Sequence, residues 1–228
     1  MDDHSRTPLS DLMTDMAARA KLGAEALRLA TPETRTKAIL EAAKSLRQRE
    51  AQILAANAQD QQFARDKGLT EAMVERLILN PARVEAMAKG LEEVAALPDP
   101  VGRELSRWTR PNGLDIARVS TPIGVIAIIY ESRPNVTADA AALCIRSSNA
   151  AILRTGSEAL NSALAIYAAF QDGFRAAGLP ETCVQLVPTS DRDAVGLILG
   201  GLNGTINLII PRGGRSLVER VQKEARAP

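Results

Sequence analysis

The chain has 228 residues, in which 28 Lys and Arg face 27 Asp and Glu, with one histidine and a formal net charge of +1 at pH 7. Acids and bases are near parity in both halves, so no basic face or block points to nucleic acid or to an anionic membrane surface. At 46% hydrophobic and 24% charged residues, the composition excludes disorder and collagen-like repetition, and it suits one large domain or two modest ones. Two cysteines, Cys144 and Cys183, are too few for a disulfide framework. The segment Met1 to Leu12 is acidic and polar rather than a secretory signal, and no apolar run reaches the length of a membrane span. Together these features predict a cytoplasmic protein.

Residues 1–100 read as helices. Thr31-Pro32-Glu33 opens one, because Thr31 can cap free amides and Pro32 lacks only an N–H that has no helical partner there. Ile39, Leu46 and Ile53 then repeat every seven residues around Ala42 and Ala43, with charged residues on the other faces, which predicts a single long amphipathic helix. Gly68 ends a shorter helix, Thr70 can cap the next, and Asn80-Pro81 opens another that runs to about Leu97, before Pro98-Asp99-Pro100. Arg103 to Arg110 and Leu114 to Thr121 flank Pro111-Asn112-Gly113, the chemistry of a hairpin turn. Beyond Pro122, strands at Val125 to Tyr130, Ala150 to Leu153, Val184 to Val187 and Ile206 to Ile210 alternate with helices at Asn135 to Ser147, Glu158 to Ala177, Asp191 to Leu199 and Arg215 to Ala225. That alternation predicts an α/β fold with a parallel, doubly wound sheet and right-handed crossovers.

Ligands of such sheets bind beyond the carboxyl ends of the strands. Three of the loops there carry arginine: Tyr130-Glu131-Ser132-Arg133-Pro134-Asn135, Arg154-Thr155-Gly156-Ser157-Glu158 and Pro211-Arg212-Gly213-Gly214-Arg215. Arginine beside glycine at a helix start suits a phosphate, because amides and the helix dipole attract the anion, glycine lets it come close and the guanidinium forks onto its oxygens. Each arginine taken singly has a plainer reading, a solvated side chain or a partner of a nearby acid. The loop after the first of these strands holds no glycine, which disfavours an ordinary dinucleotide fingerprint. Glu131 can be an acid/base group, but an ion pair with Arg133 that fixes the loop is the expected role. Cys144 shares a helical face with Val136, Ala140 and Leu143 and is expected in the core, and Cys183 falls at the wrong end of the sheet for a site. With His4 the only histidine, expected in a disordered tail, no Ser-His or Cys-His pair can form, and no ligand cluster for a metal exists.

Tyr130-Glu131-Ser132-Arg133-Pro134-Asn135-Val136-Thr137, following Pro122-Ile123-Gly124-Val125, resembles the signature of the gamma-glutamyl phosphate reductases, or glutamate-5-semialdehyde dehydrogenases. Ile210-Pro211-Arg212-Gly213-Gly214 resembles a second motif of that family, and Asn149-Ala150 with Leu153-Arg154 a third. Asn57-Ala58, Asp60, Gly68-Leu69, Arg76-Leu77, Pro81-Ala82-Arg83 and Asp99-Pro100-Val101-Gly102 extend the likeness over nearly the whole chain. Ser148 and Thr155 depart from it, standing where relatives commonly have glycine.

The resemblance implies an aldehyde-dehydrogenase-like fold: a cofactor-binding domain over residues 1–228, with a helical part at 1–100, a hairpin arm for homo-oligomerisation at 101–121 and a Rossmann-like core at 122–228. It also implies NADPH-dependent reduction of L-glutamyl 5-phosphate to glutamate 5-semialdehyde with release of phosphate, in proline biosynthesis, through a thioacyl-cysteine intermediate. By position, Arg154 resembles the residue that meets the adenosine ribose and its 2′-phosphate, with Gly156, Ser157 and Glu158 beside it. Arg212, Gly213 and Gly214 resemble the loop facing the cofactor phosphates or nicotinamide, and Glu131, Arg133 and Asn135 the substrate and oxyanion loop, with either Arg133 or Asn135 in the oxyanion position. The family's nucleophilic cysteine belongs to a later motif, which neither Cys144 nor Cys183 matches, so these residues alone are expected to be inactive. A non-catalytic NADP(H)-binding or assembly module, and the reductase domain of a bifunctional pyrroline-5-carboxylate synthetase, stay open beside this reading.

Overall fold

The computed structural model describes residues 8–228, so the expectation for His4 lies outside the described residues. Five helices come first: α1 (Leu9–Leu29), α2 (Pro32–Gln48), α3 (Glu50–Asp66), α4 (Glu71–Leu77) and α5 (Pro81–Ala96). Thr31 caps α2 by accepting from the Thr34 amide at 3.2 Å, and Asn80 caps α5 by accepting from the Arg83 amide at 2.8 Å. Gly68 takes the left-handed backbone expected of it, with φ of 69°. Thr70 precedes α4 but makes no side-chain cap.

The single long helix expected from Thr31 onward is two. Ile39, Leu46 and Ile53 are all fully buried, so the seven-residue repeat is real. The backbone leaves the helical region at Arg49 (φ −94°, ψ 7°), where the guanidinium and the Ser45 hydroxyl both donate to the Asp172 carboxylate, at 2.7 and 2.6 Å. A repeat of apolar residues reports the buried face and is blind to a distant acid that pulls one turn aside.

A hairpin of β1 (Glu104–Thr109) and β2 (Asp115–Val119) follows, antiparallel and exposed, closed by Gly113 at φ of 85°. The rest is β3 (Val125–Tyr130), α6 (Asn135–Arg146), β4 (Ala150–Arg154), α7 (Leu160–Ala177), β5 (Val184–Leu186), α8 (Asp193–Leu199), β6 (Leu208–Arg212) and α9 (Arg215–Glu224). Short 3₁₀ turns at Ser157–Ala159 and Glu181–Cys183 lead into α7 and β5. The four strands are parallel in the order β5-β4-β3-β6. Every residue of β3, β4 and β5 is buried, as a sheet covered on both faces requires.

Right-handed crossovers place α6 and α7 on one face and α8 on the other. There α1 packs along β3, β4, β5 and α8 and is pinned through two carbonyls, Leu27 accepting from Ser148 Oγ at 3.1 Å and Met16 from Gln185 Nε2 at 2.8 Å. On the opposite side α2 lies on α7 so closely that a Cβ on Gly173 would stand 2.4 Å from the Ala38 carbonyl oxygen. Ser148 itself takes a left-handed backbone, φ 58°, which accounts physically for glycine being at home there.

The inner stripe of α6 runs through Thr137, Ala141 and Ile145, all fully buried, and takes in Cys144. Leu143, grouped with Cys144 by spacing, is instead 51% exposed, because it lies two residues from both Ala141 and Ile145 and so on the opposite side of the helix from that stripe. Among the described residues, no helix is long and apolar enough to cross a membrane.

Two buried polar side chains one turn apart on α3 hold the helical layer to the core. The fully buried Asp60 carboxylate accepts from the Asn161 and Ser162 amides at 3.2 and 2.7 Å and from the Ser162 hydroxyl at 2.6 Å, closing the first turn of α7. Asn57 accepts from the Leu79 amide at 2.8 Å and donates to the Leu77 carbonyl at 2.7 Å, fixing the link between α4 and α5.

The Asp172 junction sets an acid dependence. Arg49 in first place, then Ser45 and Arg175, hold the Asp172 carboxyl down at about 2, against an ordinary 3.8. A carboxylate whose folded value is depressed stabilises fully above its unfolded value and loses that stabilisation as pH falls through the folded one. We expect the melting temperature to fall from pH 4 to pH 2 more steeply in the parent chain than in Asp172→Asn, measured by thermal melts followed by circular dichroism; equal slopes would remove Asp172 from the account.

Candidate functional site

The sheet order reverses at β3, because the chain moves from β3 to β4 and β5 and then returns to β6 on the other side. In open parallel sheets ligands bind at such a reversal, beyond the carboxyl ends of the strands, which here is beside the loops after β3 and β6. The register puts Tyr130 opposite Arg212 and Ile129 opposite Arg154. All ten residues singled out from the sequence, in the loops 131–135, 154–158 and 212–214, thus converge on one edge.

Two carboxylates tie these loops together. Glu158 accepts from both the amide and the hydroxyl of Ser132, at 3.0 and 2.8 Å, and Ser157 Oγ lies 3.4 Å from its other oxygen. Ser132 is held there in a left-handed conformation, φ 49°, and is 6% exposed. Such a backbone costs a non-glycine residue about 1–2 kcal/mol, which two hydrogen bonds to a charged acceptor, each worth about 1.5–3 kcal/mol, outweigh. Glu131 does not pair with Arg133 as expected. Its carboxylate accepts instead from the Gly214 amide at 2.9 Å, at the start of α9, while its own amide donates to the Arg212 carbonyl at 3.2 Å. The helix N-terminus attracts the acid more strongly than the exposed Arg133 does, since its amide is fixed and already points outward.

At the glycines expected to admit a phosphate, the groups that come close in the structure are the chain's own carboxylates. A Cβ on Gly156 would lie 2.2 Å from Glu158 Oε1, and one on Gly213 would lie 2.4 Å from Glu131 Oε2.

Arg154 lies under this edge, 8% exposed, with Nη2 donating to the Ser190 and Asp191 carbonyls at 3.3 and 3.4 Å and with Nε buried without a partner. Burial pulls its guanidinium below the ordinary value, Glu158 and Glu131 push it back up, and Arg192 and Arg220 act against it. Those two arginines were not picked out in the sequence. Arg192 lies in the segment after β5, six residues beyond Leu186, so the third loop of the edge carries an arginine as well. Arg220 sits within α9, where only the fold reveals its proximity. Arg192 and Arg220, the latter paired with Glu224 at 2.9 Å, thus lie near enough to act on the charge of Arg154, as do Glu131 and Glu158, so both signs of charge meet at this edge.

On the other side of the β3 loop lies a cavity of about 630 Å³. Arg133, Asn135 and Asp139 line it from the start of α6, and Glu75, Arg76, Arg83 and Met87 from α4 and α5. Arg83 is pinned by donating to the Ile78 and Glu75 carbonyls at the end of α4. Asp139, which the sequence reading passed over, accepts from Asn135 Nδ2 at 3.2 Å. Burial pushes its carboxyl up, with Arg212 and Asn135 only partly offsetting that. Spacing alone carried a signal here, since Asn135 and Asp139 are one helical turn apart at the start of α6.

Neither cysteine belongs to the site. Cys144 and Cys183 are buried and burial pushes both thiols up to about 12, the reverse of an activated nucleophile. Tyr130 is fully buried, its hydroxyl 2.7 Å from Thr137 Oγ1, and burial raises its phenol further. Among the described residues, no group of acids, histidines and cysteines could hold a metal ion.

A helical layer, an exposed hairpin and a parallel sheet whose strand order reverses at β3 define a doubly wound α/β domain. The aldehyde dehydrogenase family model matches residues 10–228, and the chain belongs to that family. It is 64% identical over 218 residues to the gamma-glutamyl phosphate reductase of a Caulobacter species, covering 96% of this chain and 52% of the relative. The crystal structure of gamma-glutamyl phosphate reductase from Thermotoga maritima superimposes with a TM-score of 0.90 at 41% identity, covering 95% of this chain and 52% of that one. Glyceraldehyde-3-phosphate dehydrogenase from Methanocaldococcus jannaschii, complexed with NADP, shares the fold with a TM-score of 0.70 at 17% identity, covering 95% of this chain and 44% of that one. The chain spans about half the length of the relatives it matches.

A carboxylate whose folded pKa is raised destabilises the folded chain once pH exceeds its unfolded value, so removing the charge of Asp139 relieves that penalty. We expect Asp139→Asn to raise the melting temperature at pH 7 by about 1–3 °C, with the gain disappearing near pH 3; a lower melting temperature would show that the charge is matched by its neighbours.

Proposed function

We propose that this chain is the cofactor-binding half of an NADPH-dependent reductase that converts L-glutamyl 5-phosphate to L-glutamate 5-semialdehyde and phosphate, in proline biosynthesis. The observation that carries this reading is the cluster of Arg154, Arg192 and Arg220 with Glu131 and Glu158 at the point where the strand order reverses, in a chain 64% identical to a gamma-glutamyl phosphate reductase. Acyl phosphate, NADPH and a proton give aldehyde, NADP⁺ and phosphate. The NADP complex of the archaeal fold relative supports the choice of nucleotide.

The residues present fit such a cofactor. The buried, unpartnered Nε of Arg154 marks a cation short of acceptors, and the space at Gly156 and Gly213 admits close approach by oxygen atoms. In this reading Arg154, with Arg192, would hold the 2′-phosphate, Glu158 would accept from ribose hydroxyls, and Arg212, Gly213 and Gly214 would hold the diphosphate at the amide from which Glu131 now accepts. The bound cofactor supplies a hydride. Asn135, which lines the neighbouring cavity, orients the acyl group and stabilises negative charge developing on its oxygen, and Arg133 faces the rest of the substrate. The nucleophilic thiolate comes from outside these 228 residues, because Cys144 and Cys183 are buried and protonated at neutral pH. The exposed hairpin, with Leu105 and Trp108 more than two-fifths exposed, acts as an arm between copies of the protein in the cytoplasm.

Arg154→Ala, made in a polypeptide that joins this chain to its catalytic half, separates the assigned role from a purely structural one. Losing one charge-assisted phosphate contact corresponds to about 10–100-fold. We expect KM for NADPH to rise by about that factor while KM for NADH changes about twofold or less; equal losses for the two nucleotides would take Arg154 off the 2′-phosphate.

A further inference from the structure

The cavity beside the β3 loop carries charges that the cofactor reading does not use. Its lining includes three guanidinium groups, Arg76, Arg83 and Arg133, and two carboxylates, Glu75 and Asp139. Arg83 is committed to the carbonyls at the end of α4. Arg76 and Arg133 are exposed and make no ion pair among the described residues. Asp139 is held only by Asn135 and is partly buried, deeper than either arginine. Opposite charges that share a cavity without neutralising one another suit a ligand that bears both signs, because each charge of such a ligand replaces water around a group lacking a protein partner. A dicarboxylate would leave Asp139 facing a like charge, and a simple cation would leave the arginines unused.

Resting on the reading of the chain as half of a glutamyl phosphate reductase, we propose that this cavity recognises the α-amino acid end of the substrate, Asp139 accepting from its ammonium group and Arg133 with Arg76 donating to its α-carboxylate. The arrangement makes the cavity selective for a zwitterion over a plain acyl phosphate. It also explains why Arg212 and Asn135 offset the burial of Asp139 only in part: the remaining compensation arrives with the ligand. That is the usual sense in which a binding site is built at the expense of stability.

The test titrates the isotope-labelled chain with L-glutamate, with glutarate, which lacks the ammonium group, and with 4-aminobutyrate, which lacks the α-carboxylate, following backbone amide shifts by NMR. We expect saturable shifts at Arg133, Asn135 and Asp139 with L-glutamate, and binding at least about tenfold weaker for each comparator. Asp139→Asn should weaken L-glutamate about tenfold and leave glutarate within about twofold, with a spectrum otherwise unchanged; Arg133→Gln should weaken L-glutamate and glutarate together. Equal affinity for L-glutamate and glutarate, an unaltered L-glutamate affinity in Asp139→Asn, or no shifts at these residues would each overturn the proposal. NADPH added to the same sample separates the two readings. Nucleotide binding without selective glutamate binding sinks the zwitterion site alone, whereas selective glutamate binding without nucleotide binding supports the site and counts against the cofactor assignment.

Discussion

The edge of the sheet depends on one carboxylate, Glu158, folded back onto Ser132. That contact holds a non-glycine residue in the left-handed region, and the chain reversal it permits decides what the following residues face. Before the reversal, Glu131 reaches across to the start of α9. After it, Arg133 and Asn135 open into the cavity. The charged sheet edge and the cavity are therefore two sides of a single strained turn. Strain of this kind persists only where the surroundings over-determine it, and here the surroundings are a charged acceptor contributed by the next strand's loop.

The helical layer is the second requirement. The cavity exists because the link between α4 and α5 passes over the start of α6, and that link carries peptide groups with no regular secondary-structure partners. Asn57 satisfies two of them from beneath, while Asp60, one turn along α3, closes the first turn of α7. Buried groups of this sort cost far more when unpaired than they return when paired, so they fix one arrangement of the helices on the sheet. Asn57 and Asp60, two of the residues that resembled family motifs in the helical part, are in this way structural supports for the candidate site.

Much of this was legible in the sequence where local chemistry decides. The caps at Thr31 and Asn80, the hairpin around Gly113, the four strands and the three arginine loops all follow from turn residues, caps and alternation. What escaped was set by distant partners. Arg49 breaks a helix that the repeat of Ile39, Leu46 and Ile53 predicted to be continuous, because Asp172 lies 123 residues away. Glu131 chose an amide 83 residues away over its neighbour Arg133. Leu143 lies on the helix face opposite a stripe whose centre only the packed sheet defines. Arg220 is brought to this edge by folding alone, whereas Arg192 and Asp139 carried only faint local signals, a position in a strand-end loop and a spacing of one helical turn from Asn135.

The central claim is that the mixed cluster at the reversal of strand order is a binding site for a 2′-phosphorylated nicotinamide nucleotide, already formed within these 228 residues. It is tested most directly by a fluorescence titration of the purified chain with NADPH, with NADH in parallel. The account predicts saturable binding with a preference of about tenfold or more for NADPH, the difference a single charge-assisted phosphate contact makes. A folded chain that binds neither nucleotide, or binds both equally, would contradict it.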